Sequence, residues 1–179
     1  EKLVDKEPDW QDAPFRLGYL RFLRAEYLGA ADAFELCLLK EENWPDAAYN
    51  LGVAHQYLGR QDDAKEQFAR VVELDSSNAE AWRALANIAI ESGDASRALE
   101  CQEQLHALGA DSPELTFNLA LLLQEASEPE AAAKCYIKAL EKKPDFAEAL
   151  LNLGHALKSL GRDNEARACW NKATKLKPE

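Results

Sequence analysis

The sequence predicts an all-α protein assembled from five consecutive helix pairs. Three observations carry that prediction. A Leu-small pair recurs every 34 residues, as Leu17-Gly18, Leu51-Gly52, Leu85-Ala86, Leu119-Ala120 and Leu153-Gly154. An alanine column runs at the same period through Ala30, Ala64, Ala98, Ala132 and Ala166. A mostly bulky column follows it, at Phe34, Phe68, Gln102, Tyr136 and Trp170. A fixed period of this length is the signature of stacked repeats. No alternating apolar–polar run competes as a strand.

The elements follow in order. Residues 1–10 come first, and the run from Lys2 to Trp10 parallels the run from Lys138 to Phe146. They are therefore expected to be the tail of an earlier repeat's second helix. Five repeats follow without insertion, at 11–44, 45–78, 79–112, 113–146 and 147–179, as a single array. In 45–78, Ala48, Leu51 and Ala54 have helical spacing, as do Ala64, Phe68 and Val71. Gly59 separates the two runs, and Gly93 and Gly161 hold the same place in their repeats. Glycine there takes the left-handed conformation that ends a helix. Pro113 opens a first helix, where proline is tolerated, and Pro144 and Pro178 follow second helices. Small residues at Gly52 or Ala86, and in the alanine column, let two helices cross closely. The bulky column fills the space beside that crossing. The chain stops one residue short of a full repeat, at Lys177-Pro178-Glu179, with no polar cap. Together with residues 1–10, this leads us to expect part of a longer array.

Composition narrows the function. The 179 residues carry a formal net charge of −11, which disfavours a phosphate backbone as partner. A basic protein or peptide suits it better. No apolar run reaches the roughly 18 residues of a membrane span, so no membrane insertion is expected. Four cysteines are too few for a disulfide scaffold and point to a reducing compartment, the cytoplasm. Cys101, Cys135 and Cys169 share one repeat position, a packing column rather than a metal-site spacing. His55, His106 and His155 fall in different columns, with no nucleophile at a pairing distance in sequence. No glycine-rich phosphate loop is present. An enzyme, a cofactor and a metal are not expected. Asp62-Asp63 and Glu41-Glu42 are expected at solvated helix ends.

Leu-Gly, then Ala, then an aromatic, then Pro, at a period of 34, resembles the tetratricopeptide repeat over residues 11–179. Trp82 holds the family's first-helix tryptophan, which is Pro14, Ala48, Thr116 and Leu150 in the other repeats. Gln102 departs from the aromatic column, and the closing proline is missing from the first three repeats. The resemblance implies a right-handed superhelix of antiparallel helix pairs whose first helices line a concave groove. It further implies a non-catalytic scaffold that holds a protein or peptide segment there.

By that resemblance, repeat positions 2, 5, 6, 9, 12 and 13 point into the groove. One column among them reads Arg16, Asn50, Ala84, Asn118 and Asn152. A carboxamide pairs with a peptide backbone through its donor and its acceptor, and equally bonds within its own helix. Asn50, Asn118 and Asn152 are the first candidates for partner contact. Tyr19, Tyr49, Arg83, Asn87, Phe117, Leu121 and His155 stand beside them, with Phe15, Phe22, Val53, Tyr57 and Leu151. Aromatics here suit apolar anchors of a partner, though at least half of this set is expected to be partly buried by packing. A carboxylate clamp would need two basic residues in the fifth repeat, which has Glu148 and Asn152 instead. Acids recur at position 2, at Asp46, Glu80, Glu114 and Glu148, where they favour a helix start. The fifth repeat is basic through Lys158, Arg162, Arg167, Lys172, Lys175 and Lys177. Two other readings stand beside the scaffold. The asparagine column resembles the array preceding the catalytic region of O-linked N-acetylglucosamine transferases, so the chain would be a substrate-recruiting arm. The uncapped ends would also allow end-to-end self-association.

Overall fold

The computed structural model describes residues 13–176, so the expectation for residues 1–10 lies outside the described residues, as does Pro178. Among the described residues there are ten helices and no strand. They are α1 (Ala13–Leu23), α2 (Tyr27–Lys40), α3 (Pro45–Tyr57), α4 (Gln61–Leu74), α5 (Ala79–Glu91), α6 (Ala95–Ala107), α7 (Pro113–Glu125), α8 (Pro129–Lys142), α9 (Ala147–Ser159) and α10 (Asp163–Leu176). Two helices fall within each 34-residue period. The chain divides into two compact units, with the division inside α5, after Leu85. In the N-terminal unit α2 packs on both α1 and α3, and α3 on α4. In the C-terminal unit α6 packs on α7, α7 on α8, α8 on α9, and α9 on α10.

The repeat columns build these interfaces. The five alanines of the strict column are all buried. Phe34, Phe68 and Tyr136 are fully buried beside them. A Cβ on Gly18 would lie 2.8 Å from the Phe34 ring, and one on Gly52 would lie 2.9 Å from the Phe68 ring. The aromatic therefore lies directly on the bare backbone of its partner helix. Tyr136 shares a buried core with Ala120, and its hydroxyl donates to Gln124 Oε1 at 3.2 Å. Burial pushes this phenol up to about 12.

Gln102, the departure from the bulky column, is buried too. Its Nε2 donates to Asp111 Oδ1 at 3.4 Å. The same carboxylate lies 3.1 Å from His106 Nδ1 and 3.5 Å from Lys142 Nζ. A polar cluster thus occupies the place an aromatic fills elsewhere. Trp82 is buried, and its indole donates to the Ser76 carbonyl at 2.9 Å.

One turn recurs in all five repeats. The residue between first and second helix has positive φ at Ala25 (59°), Gly59 (72°), Gly93 (77°), Ser127 (62°) and Gly161 (74°). The next amide then reaches back to a carbonyl five residues earlier. These pairs are Glu26 to Arg21, Arg60 to His55, Asp94 to Ala89, Glu128 to Leu123 and Arg162 to Leu157, at 2.8–2.9 Å. This is the six-to-one bond of a glycine-type helix stop. Ala25 and Ser127 hold the left-handed conformation with a Cβ present, which costs about 1–2 kcal/mol each.

All four cysteines are thiols. Cys37, Cys101 and Cys135 are buried, and Cys169 is partly accessible. Burial pushes the Cys101 thiol up to about 11 and raises Cys135 and Cys169 in the same direction. The thiolate is the reactive form, so at pH 8 Cys101 holds about a hundredfold less of it than an unperturbed thiol. Timed alkylation at pH 8, read by mass spectrometry, is expected to modify Cys169 first. Cys37, Cys101 and Cys135 should follow only on unfolding. Labelling of Cys101 as fast as Cys169 would contradict this packing.

Candidate functional site

The candidate residues sit on first helices, and each unit presents its own set. Asp46, Glu80, Glu114 and Glu148 occupy first turns, where a negative charge complements the helix dipole. Four residues after Asp46 and Glu148, the asparagines turn back on their own helices. Asn50 Nδ2 donates to the Asp46 carbonyl at 2.7 Å. Asn152 Nδ2 donates to the Glu148 carbonyl at 2.9 Å. Only the nitrogen of the carboxamide can donate, so Nδ2 is the bonded atom and Oδ1 remains an acceptor.

In the N-terminal unit Tyr19 is exposed, whereas Tyr49 and Asn50 are half-buried. The Tyr49 ring lies 5.5 Å from Phe68, tilted against it. Burial raises the Tyr49 phenol, Glu80 adds to the rise, and Arg83 opposes it. The Tyr49 phenol thus lies within electrostatic reach of Arg83 on the next first helix. Tyr57, which is exposed, stacks on Tyr27 at 4.5 Å, and Phe22 meets it edge-on at 5.3 Å. Phe22 and Tyr27 flank the first hairpin turn, and Tyr57 of α3 packs on both.

In the C-terminal unit Asn87, Asn118 and His155 are exposed, and Phe117, Leu121 and Asn152 are half-buried. Phe117 packs against Tyr136 at 5.7 Å and Phe146 at 4.8 Å. Lys143 Nζ sits 4.6 Å over Phe146 and 2.9 Å from Glu114 Oε1. That hydrogen bond holds the Glu114 carboxyl below its ordinary range. Phe117 is thereby fixed from two sides, with one edge accessible. Leu121 packs on the core of this unit. The His155 ring lies 5.4 Å from Trp170, whose indole donates to the Leu151 carbonyl at 3.2 Å.

Phe15, Phe22, Tyr49, Val53, Arg83, Phe117 and Leu121 are half-buried, so more than half of the candidate aromatics and neighbours also support the core. The remaining edges, together with the asparagine Oδ1 atoms, can accept peptide amides and cover apolar side chains. No group of three or more metal-ligating side chains lies together among the described residues. No described helix is long and apolar enough to cross a membrane. Asp62 and Asp63 lie in the first turn of α4, and Glu41 ends α2, all exposed.

Sequence reasoning missed a polar pair. His55 and Gln67 have buried atoms without a hydrogen-bond partner. Their signal was present in the columns. His55 stands where three later repeats carry Ala89, Leu123 and Leu157. Gln67 stands in the column of Ala33, Cys101, Cys135 and Cys169.

Helix pairs at a 34-residue period, presenting polar and aromatic edges on first helices, define an α-solenoid scaffold for protein interaction. The tetratricopeptide repeat matches at residues 49–113, 85–151 and 147–179, and the chain belongs to that family. Solved structures agree in fold. A crystal structure of MamA protein has a TM-score of 0.81 at 23% identity, covering 93% of this chain and 91% of that one. MamA 41-end from Desulfovibrio magneticus RS-1 gives 0.76 at 18%, covering 94% and 96%. YrrB, described as a TPR protein with an unusual peptide-binding site, gives 0.79 at 18%, covering 98% and 92%. No curated protein matches the chain in sequence.

Proposed function

We propose that the chain is a non-catalytic scaffold that holds an extended segment of a partner protein on its first-helix faces. Asn50, Asn118 and Asn152 accept backbone amides of that segment. Tyr49 and Arg83 in the N-terminal unit, and Phe117 and Leu121 in the C-terminal unit, contact its side chains. Tyr19, Asn87 and His155 lie at the accessible margins. The observation that carries this reading is the local bonding of Asn50 and Asn152. It uses one of the two Nδ2 hydrogens of each carboxamide and leaves the other hydrogen and Oδ1 for a partner. Contacts of that kind hold a backbone without reading its sequence, and the aromatic edges add selectivity. The acidic chain favours a segment containing Lys or Arg.

Affinity capture from source lysate, read by mass spectrometry, tests it. The wild type is run beside a variant with Asn50→Ala, Asn118→Ala and Asn152→Ala. Each lost hydrogen bond removes about 0.5–1.5 kcal/mol. The captured partner's segment is therefore expected to bind the variant at least about tenfold more weakly by calorimetry. Equal affinity for both proteins would remove the asparagines from the site.

A further inference from the structure

We propose a second binding site, in the crevice between α2 and α4 of the N-terminal unit, for a lysine or arginine side chain of a basic protein segment. The crevice has a volume of about 690 Å³ and is floored by Leu51 and His55 of α3. His55 is 5% exposed and its Nδ1 has no partner. Gln67, on the α4 wall, buries its Oε1 without a partner. Buried polar atoms are nearly always paired, so two unpaired ones, just beneath the lining of one crevice, are poised to take a donor from outside when their side chains turn.

The fold does not need either group. Ala89, Leu123 and Leu157 close the His55 position in later repeats, and Ala33, Cys101 and Cys135 are buried at the Gln67 position. Only the second repeat places polar residues in both columns, and only there do they meet in a crevice. Packing alone would select apolar residues at both.

Charge and shape choose the ligand. At the rim, Arg70 Nη2 donates to the Glu42 carbonyl at 2.7 Å and lies 3.4 Å from its carboxylate. Those two charges offset each other. Glu35, Asp63 and Glu66 then outnumber Arg60 along the lining. The crevice is negative, which excludes phosphate and carboxylate ligands. Leu38 and Leu39 line the same wall, and Leu39 is 81% exposed. An apolar wall beside buried acceptors and a negative rim fits an alkyl stem ending in N–H donors. The stem lies along Leu38, Leu39 and Leu51. The cationic head lies among Glu35, Asp63 and Glu66 at the rim, and it pairs with Gln67 Oε1 and His55 Nδ1 once those side chains turn toward it.

The test is a ¹H–¹⁵N titration of the full chain with the peptide acetyl-Gly-Arg-Gly-amide, following the Gln67 side-chain amide and the His55 ring. Saturable shifts are expected at both. The citrulline peptide, neutral and of the same shape, should bind at least tenfold more weakly. His55→Leu and Gln67→Cys supply the residues other repeats carry. Each should keep the circular dichroism spectrum and melting temperature while weakening the arginine peptide at least tenfold. Glu66→Gln, at an exposed position, provides a variant that leaves packing untouched and should weaken binding two- to fivefold. Four results would overturn the proposal. They are the absence of saturable shifts, equal binding of the citrulline peptide, indifference to both core variants, and tighter binding of spermidine than of the peptide. The last would assign the crevice to free polyamines.

Discussion

Phe68→Ala is expected to destabilise the N-terminal unit by about 3–5 kcal/mol. The ring is fully buried and lies against the bare backbone at Gly52. Tyr49 packs on it from the same first helix, at 5.5 Å. Truncation loses the transfer energy of an aromatic side chain and leaves a cavity lined by two helices whose crossing the ring sets. The helices cannot close the gap, because Ala48, Ala64 and Val71 around it are already packed to zero exposure. Phe68→Leu keeps most of the volume and should cost less than half as much. Hydrogen exchange resolves the location, since each repeat contacts only its neighbours. Protection is expected to fall in α3 and α4 by two or more orders of magnitude. A loss below about 1 kcal/mol in urea unfolding would show that the ring is not the wedge described above.

The second large effect runs in the opposite sense, by adding volume. Ala132→Leu is expected to destabilise the C-terminal unit by about 3 kcal/mol, at the upper end for overpacking. Ala132 is fully buried in a core with Leu119, Ala120, Leu123 and Tyr136. Leucine is as good a helix former as most residues, so intrinsic propensity does not oppose the change. The loss comes from forcing apart α7 and α8, which pack together around this core. Lys138→Leu, at an exposed position of α8, is the control and should change stability by less than about 0.5 kcal/mol. Chemical denaturation followed by circular dichroism compares them. An Ala132→Leu protein as stable as the control would mean that the alanine column does not set the helix spacing.

These effects follow from columns that were legible in the sequence, because each has one steric job that recurs along the chain, with Gln102 as the exception in the bulky column. Identity and spacing alone predicted two helices in each 34-residue repeat. Other features were not legible. The left-handed turns at Ala25 and Ser127 use residues that do not advertise positive φ, so only three of the five turns were visible as glycines. The partner that makes Gln102 acceptable, Asp111, lies outside the helices, in the loop after α6. The division after Leu85 leaves no trace in any column. In the site, the asparagine register was readable but its local bonding was not. An amide at position 6 can face its own carbonyl or a partner equally well on sequence grounds. The polar pair at His55 and Gln67 was visible only as two exceptions in separate columns, and their convergence required the helices to be placed.

The recurrent turn also bears on how such a chain changes over generations. Each reversal is closed by bonds within six residues of itself, from the eleventh carbonyl to the sixteenth amide of one repeat. Nothing outside the repeat is needed to make it. A duplication or loss of 34 residues therefore copies or deletes a complete hairpin and leaves every remaining positive-φ position in place. A deletion of a single residue within a helix does the reverse. It rotates every later side chain of that helix by about 100° and moves alanine and aromatic columns off their crossing. The sequence can thus gain or lose whole repeats more readily than single residues, which fits five repeats joined without one insertion.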